Sequence, residues 1–230
     1  MCIINTTHGF VFVHVPKSAG TAVTTTLSRL TTVFDLEIGG TPWGEAMQKV
    51  LTQRFSVSKH ATASELRGLL GVQRWHGQFT FAFVRNPYDR AWSTYKYLLQ
   101  HKKEMPFIKE FGSFDAYVRS DAWDSEGPSR MLRPQTAWTD DRLGRQIVSA
   151  VGQVERLEED LRGFVGRLGP AAIAASGLQD GGIEPANVSR VPKRGPKLSA
   201  AAVSKIAARY ERDFERFAYD PDDVPFEVTG

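Results

Sequence analysis

The chain has 230 residues, of which 41% are hydrophobic and 11% aromatic, and this predicts one globular domain over residues 1–230 with a sizeable core. A formal net charge of +3 is too mild to indicate nucleic acid as the main partner, although anionic ligands fit it. No apolar run is long enough to span a membrane, no secretory signal pattern is present, and the single cysteine, Cys2, cannot form an internal disulfide. We therefore expect a cytoplasmic enzyme with no membrane partner.

The first third of the chain begins with a short β-branched and aromatic run at residues 9–15, which predicts a buried strand. A loop over residues 16–21 follows, and residues 22–30 are predicted to be helical. Further helices are predicted over residues 42–54 and 62–70, the second with a capping box in which Thr62 and Glu65 satisfy each other's backbone amides.

The remainder opens with a second buried strand over residues 79–84, after which Asn86 is suited to cap a helix and Pro87 to occupy its first position. We predict the other elements as follows: a helix to about Gln100, a shorter one over 113–120, mostly irregular chain over 121–145, a third strand over 147–154, a helix over 155–168 and a last helix over 199–217. Strands that alternate with helices predict an α/β fold with a parallel sheet flanked by helices.

The loop Pro16-Lys17-Ser18-Ala19-Gly20-Thr21 joins the first predicted strand to a helix. A helix N-terminus offers unbonded amides and partial positive charge, so this is a suitable position for a phosphate. Lys17 adds a full charge, and Ser18 and Thr21 add hydroxyl groups. Lys17 precedes Gly20, unlike the lysine of GxxxxGK[ST], which argues against a common ATPase or GTPase loop. A turn that merely needs small residues is the alternative.

Arg85 follows the second buried strand, at the end where parallel α/β sheets bind ligands. An arginine there needs an anionic partner, and Ser93, two helical turns further on, is placed to share an anion with it. The alternative is that Arg85 pairs with Asp89 and that Ser93 is only packed.

Together, HVPKSAGT and FVRNPYDRAWSTY resemble the 5′-phosphosulfate loop and the 3′-phosphate motif of sulfotransferases that use 3′-phosphoadenosine 5′-phosphosulfate (PAPS). The resemblance is closest to the carbohydrate O-sulfotransferases and their bacterial relatives, and it extends to residues 133–136, 151–160 and 210–219. It implies the P-loop-like sulfotransferase fold.

The resemblance also implies which residues bind PAPS, the donor. Its 5′-phosphosulfate would be bound by Lys17, Ser18, Ala19, Gly20, Thr21 and Ala22, and its 3′-phosphate by Arg85 and Ser93. Ala22 departs from the family, which often has a hydroxyl residue there, so that only its amide can contribute. Lys193 and Arg194 lie in a basic segment, 190–197, before the last helix, where they are either donor contacts or solvated charges.

Sulfuryl transfer needs a base to take the acceptor's proton, and histidine is the usual choice. The resemblance points to His60, which lies 85 − 60 = 25 residues before Arg85, while Lys17 would stabilise the departing phosphate. His76 is the second candidate, and His14 is expected to be a packed core residue. Nothing in the sequence indicates a metal site.

The acceptor is expected to be a hydroxyl on a carbohydrate or another small molecule. The segment from Trp123 to Trp138 is either an acceptor cleft or core, and Gln135 is a candidate for orienting the acceptor. The sequence does not reveal the oligomeric state. Two other functions stay open: a nucleotide-dependent phosphotransferase, and a catalytically inactive bisphosphate-binding protein.

Overall fold

The structure of the chain is a computed structural model that describes residues 1–101, 105–127, 130–179, 181–183 and 195–229. Contacts between these residues divide them into two compact units. Unit 1 consists of Met1–Val84 with the described part of Ala137–Asn187, and unit 2 of Arg85–Thr136 with the described part of Val188–Gly230.

Unit 1 is built on a sheet of five strands in the order β3-β1-β2-β4-β5. The strands are β1 (Cys2–Asn5), β2 (Phe10–Val13), β3 (Leu36–Ile38), β4 (Phe79–Val84) and β5 (Ala150–Gln153). The three predicted strands, β2, β4 and β5, run parallel, while β1 pairs antiparallel with both β2 and β3. The predicted α/β fold is confirmed, and β1 and β3 extend its sheet with antiparallel strands that were not predicted.

Eleven α-helices are found among the described residues. They are α1 (Gly20–Leu27), α2 (Pro42–Phe55), α3 (Ala63–Leu70), α4 (Val72–His76), α5 (Pro87–Gln100), α6 (Phe114–Arg119), α7 (Thr136–Thr139), α8 (Leu157–Arg167), α9 (Pro170–Ser176), α10 (Ala200–Arg209) and α11 (Glu211–Phe217). The predicted capping box of α3 is confirmed, and the Asn86 side chain accepts a hydrogen bond from the Tyr88 amide at the start of α5. Helices α4, α7 and α9 were not predicted.

Alternate residues of the strands point to two separate cores, one on each face of the sheet. Phe10, Phe12, Phe81 and Phe83 pack with α1, α8 and α9, whereas Val11 and Val13 belong to the cluster that contains α3 residues, Trp75 and Trp138. A strand that is buried on both faces has no polar side to alternate with, which is why β2 is a continuous apolar run and β4 is interrupted only by Thr80.

Helices α5, α6, α10 and α11 supply most of the core of unit 2, and the short strands β6 (Lys197–Ser199) and β7 (Glu227–Thr229) pair in parallel beside it. The prediction of a single helix over 199–217 was wrong. The helix breaks at Tyr210, whose φ of −111° and ψ of 20° are not helical. The break accompanies the complete burial of Asp213, a polar side chain whose partners lie outside the helix.

The turn between β1 and β2 is fixed by the carboxylate of Asp35. It accepts hydrogen bonds from the amides of Thr6 at 2.6 Å, Thr7 at 3.0 Å and Thr32 at 2.8 Å. Burial raises the pKa of Asp35, but the hydrogen bonds from Thr7 and Thr32 outweigh it, so that the pKa is below its usual value.

The only cysteine of the sequence, Cys2, is fully buried in β1. Its Sγ lies 3.6 Å from the carbonyl oxygens of both Lys59 and Ala61. Burial raises the pKa of this thiol, which makes it unreactive in the folded chain. Separately, no helix within the described ranges is long and apolar enough to cross a membrane.

Candidate functional site

The loop between β2 and α1 adopts a conformation that L-residues rarely use. Lys17 has a φ of 68° and Ala19 a φ of 55°, both in the left-handed region, and neither Ser18 between them nor Gly20 after them has a positive φ. Alternation of this kind turns successive amide groups towards a common centre and forms a concavity that binds anions. Non-glycine residues in the left-handed region are typical of functional sites, because they cost about 1–3 kcal/mol each.

Helix α1 begins directly after this loop. No side chain in the described part of the chain caps it, and its first amides have no acceptor inside the helix. Ser18 is buried, Lys17 and Thr21 are half-buried, and the methyl group of Ala22 is buried with 7% of the residue exposed. An anion at the loop would therefore meet amides, hydroxyl groups and one ammonium group, with position 22 offering no hydroxyl.

Gly20, the first residue of α1, is in contact with the imidazole of His14. A Cβ atom at position 20 would lie 2.0 Å from both Cδ2 and Nε2 of His14, so no larger residue fits. His14 is only 4% exposed, as predicted for a core residue. In addition, its ring supports the loop from the side of the sheet, a role the sequence analysis did not assign to it.

His14 is held in its neutral form. Burial lowers its pKa well below the usual value, and the Met1 amino group, the strongest of its charged neighbours, acts in the same direction. Its Nδ1 lies 3.1 Å from the nitrogen of Met1. A neutral ring adds no positive charge to the loop that carries Lys17.

His60 lies half-buried in the segment before α3, and its ring centroid is 5.2 Å from that of His14. Its carbonyl oxygen accepts a hydrogen bond from Trp138 Nε1 at 3.3 Å. Unit 1 thus places the His14 ring between Gly20 of the loop and the ring of His60. The neighbouring Lys59 forms an ion pair with Glu45, with 3.1 Å between Nζ and Oε1.

His76 ends α4 with its side chain exposed. The tryptophans that were candidates for an acceptor cleft, Trp123 and Trp138, are fully buried and serve as core. Lys193 and Arg194 lie outside the described residues. The described residues also hold no group of three or more His, Cys, Asp or Glu side chains that could bind a metal ion.

In unit 2, Arg85 is the residue after β4, and its side chain is 30% exposed. Its Nη2 lies 4.0 Å from Asp89 Oδ1, so the pairing considered as an alternative exists but is long. The side-chain amide of Gln135 forms hydrogen bonds with the main chain of Arg85. Gln135 is therefore engaged with Arg85 and does not orient an acceptor, as had been considered. Ser93 is half-buried on α5.

Lys96 is a further cation on α5 that the sequence analysis missed. Residues 89, 93 and 96 share one face of the helix by their spacing. Burial lowers the pKa of Lys96, and the positive charge of Arg85 lowers it further, which is the effect of two like charges that lie close together. Its Nζ lies 5.4 Å from the ring centroid of Trp92. The only signal in the sequence that indicates Lys96 is its position three residues after Ser93, which places both on one face of the helix.

Comparison with known proteins agrees with this chemistry. The profile of the sulfotransferase family matches residues 1–220, which is nearly the whole chain. Searches of the curated proteins and of the solved structures return no match. With a match of this length, the chain belongs to the sulfotransferase family.

Proposed function

We propose that the chain transfers the sulfuryl group of PAPS to a hydroxyl group on a carbohydrate or another small molecule. The observation that carries the proposal is the loop before α1, where Lys17 and Ala19 are both left-handed and where no side chain of the described residues caps the helix. PAPS supplies the sulfuryl group, and 3′,5′-adenosine bisphosphate is the product. The lone Cys2, which has no disulfide partner in the sequence, fits a cytoplasmic location.

At the 5′ end of the donor, the amides of residues 19–22, the Ser18 hydroxyl group and the Lys17 ammonium group would bind the phosphosulfate. Negative charge grows on the bridging oxygen as the sulfuryl group leaves, and a fixed cation at that position stabilises the charge as it develops. Lys17 is the cation of this loop. The missing hydroxyl at Ala22 leaves the backbone amides with a larger share of the binding.

At the 3′ end, Arg85 and Ser93 would bind the phosphate, as their motif implies. Lys96 adds a second positive charge on the same helix face as Ser93. Two cations suit a phosphate monoester, which carries close to two negative charges at neutral pH. The long separation of Arg85 from Asp89 supports the idea that a phosphate, rather than Asp89, is the preferred partner.

His60 would accept the proton of the acceptor hydroxyl at one of its ring nitrogens. Its neighbour His14 is kept neutral by burial, so the proton that His60 takes is not repelled by a second imidazolium ion. The hydrogen bond from Trp138 to the His60 carbonyl fixes the backbone from which the ring extends. General-base catalysis of this kind typically contributes about 10²- to 10⁴-fold to the rate.

The test uses the full chain with radiolabelled PAPS and a panel of carbohydrate and small-molecule hydroxyl compounds, with Lys17→Met as the inactive control. Transfer of label that depends on Lys17 supports the proposal. Stabilisation by 3′,5′-adenosine bisphosphate without transfer to any acceptor would indicate an inactive binding protein. Stabilisation by ATP but not by the bisphosphate would indicate a phosphotransferase.

A further inference from the structure

The main chain of Arg85 is held at both its polar groups by one buried side chain. Gln135 Oε1 accepts a hydrogen bond from the Arg85 amide at 2.9 Å, and Gln135 Nε2 donates one to the Arg85 carbonyl oxygen at 2.8 Å. Gln135 is fully buried, whereas the Arg85 side chain is 30% exposed. The guanidinium group therefore extends from a backbone that is fixed at its origin.

Gln135 is itself fixed by a buried carboxylate on α11. Asp213 accepts hydrogen bonds from the Gln135 amide at 2.7 Å and the Thr136 amide at 3.0 Å, and it is fully buried. A buried carboxylate is costly unless it is hydrogen-bonded and its charge is compensated. These two contacts fix the main chain at Gln135, and with it the position of the Gln135 Cα atom.

The compensating charge comes from Arg90, which is fully buried as well. Burial raises the pKa of Asp213, while the positive charge of Arg90 opposes that rise. Arg90 also donates hydrogen bonds to the carbonyl oxygens of Arg133 at 2.9 Å and Met131 at 2.8 Å. The segment that carries Gln135 is thus held on one side by Arg90 and on the other by Asp213.

Only a few side chains can do what Gln135 does. Its primary amide offers one acceptor and two donors, which match an N–H and a C=O group on the same residue. An apolar side chain of the same size would leave the N–H and C=O groups of Arg85 without these two hydrogen bonds. A carboxylate would keep the acceptor but would place a negative oxygen against the Arg85 carbonyl oxygen.

We propose that Gln135 is a positioning residue for the 3′-phosphate of the donor, an inference that rests on the proposed function. It does not touch the ligand. It fixes the Arg85 backbone, so that the partly exposed guanidinium group is already oriented for the phosphate before binding. Preorganisation of this kind increases affinity by lowering the cost of ordering on binding. Gln135 should therefore affect the 3′ end of the donor selectively.

The first test compares two ligands in calorimetry: 3′,5′-adenosine bisphosphate and 5′-AMP, which lacks the 3′-phosphate. Gln135→Met removes both hydrogen bonds at nearly constant volume. We expect it to weaken bisphosphate binding about tenfold or more and to leave 5′-AMP binding nearly unchanged. In steady-state assays the KM for PAPS should rise by a similar factor, with a much smaller change in kcat.

The second test uses Gln135→Glu and pH. A protonated glutamic acid has one donor and one acceptor and restores both contacts, whereas the carboxylate repels the Arg85 carbonyl oxygen. Full burial beside the Asp213 carboxylate raises the pKa of a glutamic acid at position 135 above its usual value of about 4.3, so that it is protonated in mildly acidic solution. We expect the ratio of variant to wild-type affinity for the bisphosphate to be near one at about pH 5.5 and to fall about tenfold by about pH 8. Division by the wild-type value removes the titration of the phosphate itself.

The possible results separate the two proposals. If wild-type protein does not prefer the bisphosphate to 5′-AMP, the assigned role of Arg85 fails, and the positioning role fails with it. If the wild type does prefer the bisphosphate, equal losses for both ligands in Gln135→Met overturn the positioning role alone. If Gln135→Met does not fold, Gln135→Glu decides: an affinity ratio that does not change with pH overturns the positioning role.

Discussion

The contact between Gly20 and His14 leads to a quantitative prediction. In Gly20→Ala the new methyl group would start 2.0 Å from two atoms of the His14 ring. The ring has little room to move, because its centroid lies 6.4 Å from that of Phe12 and 5.2 Å from that of His60. Overpacking at such a site costs about 1–3 kcal/mol.

This cost competes with a gain, because replacing a helical glycine with alanine stabilises a helix by at most about 1 kcal/mol. We therefore expect Gly20→Ala to lower the free energy of unfolding in urea by about 1–2 kcal/mol. Gly163→Ala in α8 is the matched control. A Cβ there meets no atom within 4 Å, so this variant should be as stable as the wild type or more stable.

A double-mutant cycle identifies the cause. If the His14 ring is responsible, Gly20→Ala should cost much less in a His14→Ala background, and the two substitutions should show a coupling of about 1 kcal/mol or more. The reasoning would be refuted if Gly20→Ala behaved like Gly163→Ala. It would also be refuted if the loss were the same with and without the ring.

Three further predictions concern the base, the second cation and acid stability. His60→Ala should lower turnover about 10²- to 10⁴-fold at saturating PAPS while binding 3′,5′-adenosine bisphosphate normally; a loss in His76→Ala instead would transfer the assignment to His76. Lys96→Ala should weaken calorimetric binding of the bisphosphate about tenfold but not that of 5′-AMP, and equal losses would remove Lys96 from the phosphate site. Because the folded-state pKa of Asp35 is lowered, its stabilising effect is present above the unfolded pKa, near 4, and is lost as the pH falls through that value towards the folded pKa. Asp35→Asn should therefore be about 1–3 kcal/mol less stable at neutral pH and lose less stability on acidification; parallel urea titrations of the two proteins between about pH 5 and 3 would contradict this.

The elements that could be predicted from the sequence are those with a local signal. The apolar run of β4, the capping box of Thr62 and Glu65, and the Asn86-Pro87 helix start all lie within a few neighbouring residues. The loop that follows β2 was predicted to be an anion site from the same kind of local signal. Its left-handed residues were not, because Lys17 and Ala19 are types that seldom adopt that conformation.

The contacts that complete the candidate site join residues far apart in the chain. Gln135 and Arg85 are separated by 50 positions, and Asp213 and Gln135 by 78. No periodicity or short motif reports such a pair. The helix break at Tyr210 was missed for a similar reason. The apolar pattern over 199–217 indicates one helix, whereas Asp213, just after the break, is hydrogen-bonded to a residue 78 positions away.

Cys2 can be used to measure local opening of the structure around His60. It is the only thiol in the sequence, it is fully buried in β1, and its sulfur contacts the carbonyl groups on either side of His60. An alkylating reagent can reach it only while this part of unit 1 is open, so the labelling rate measures the frequency of that opening. The motion of the His60 segment can thus be followed in solution without a probe introduced at the site.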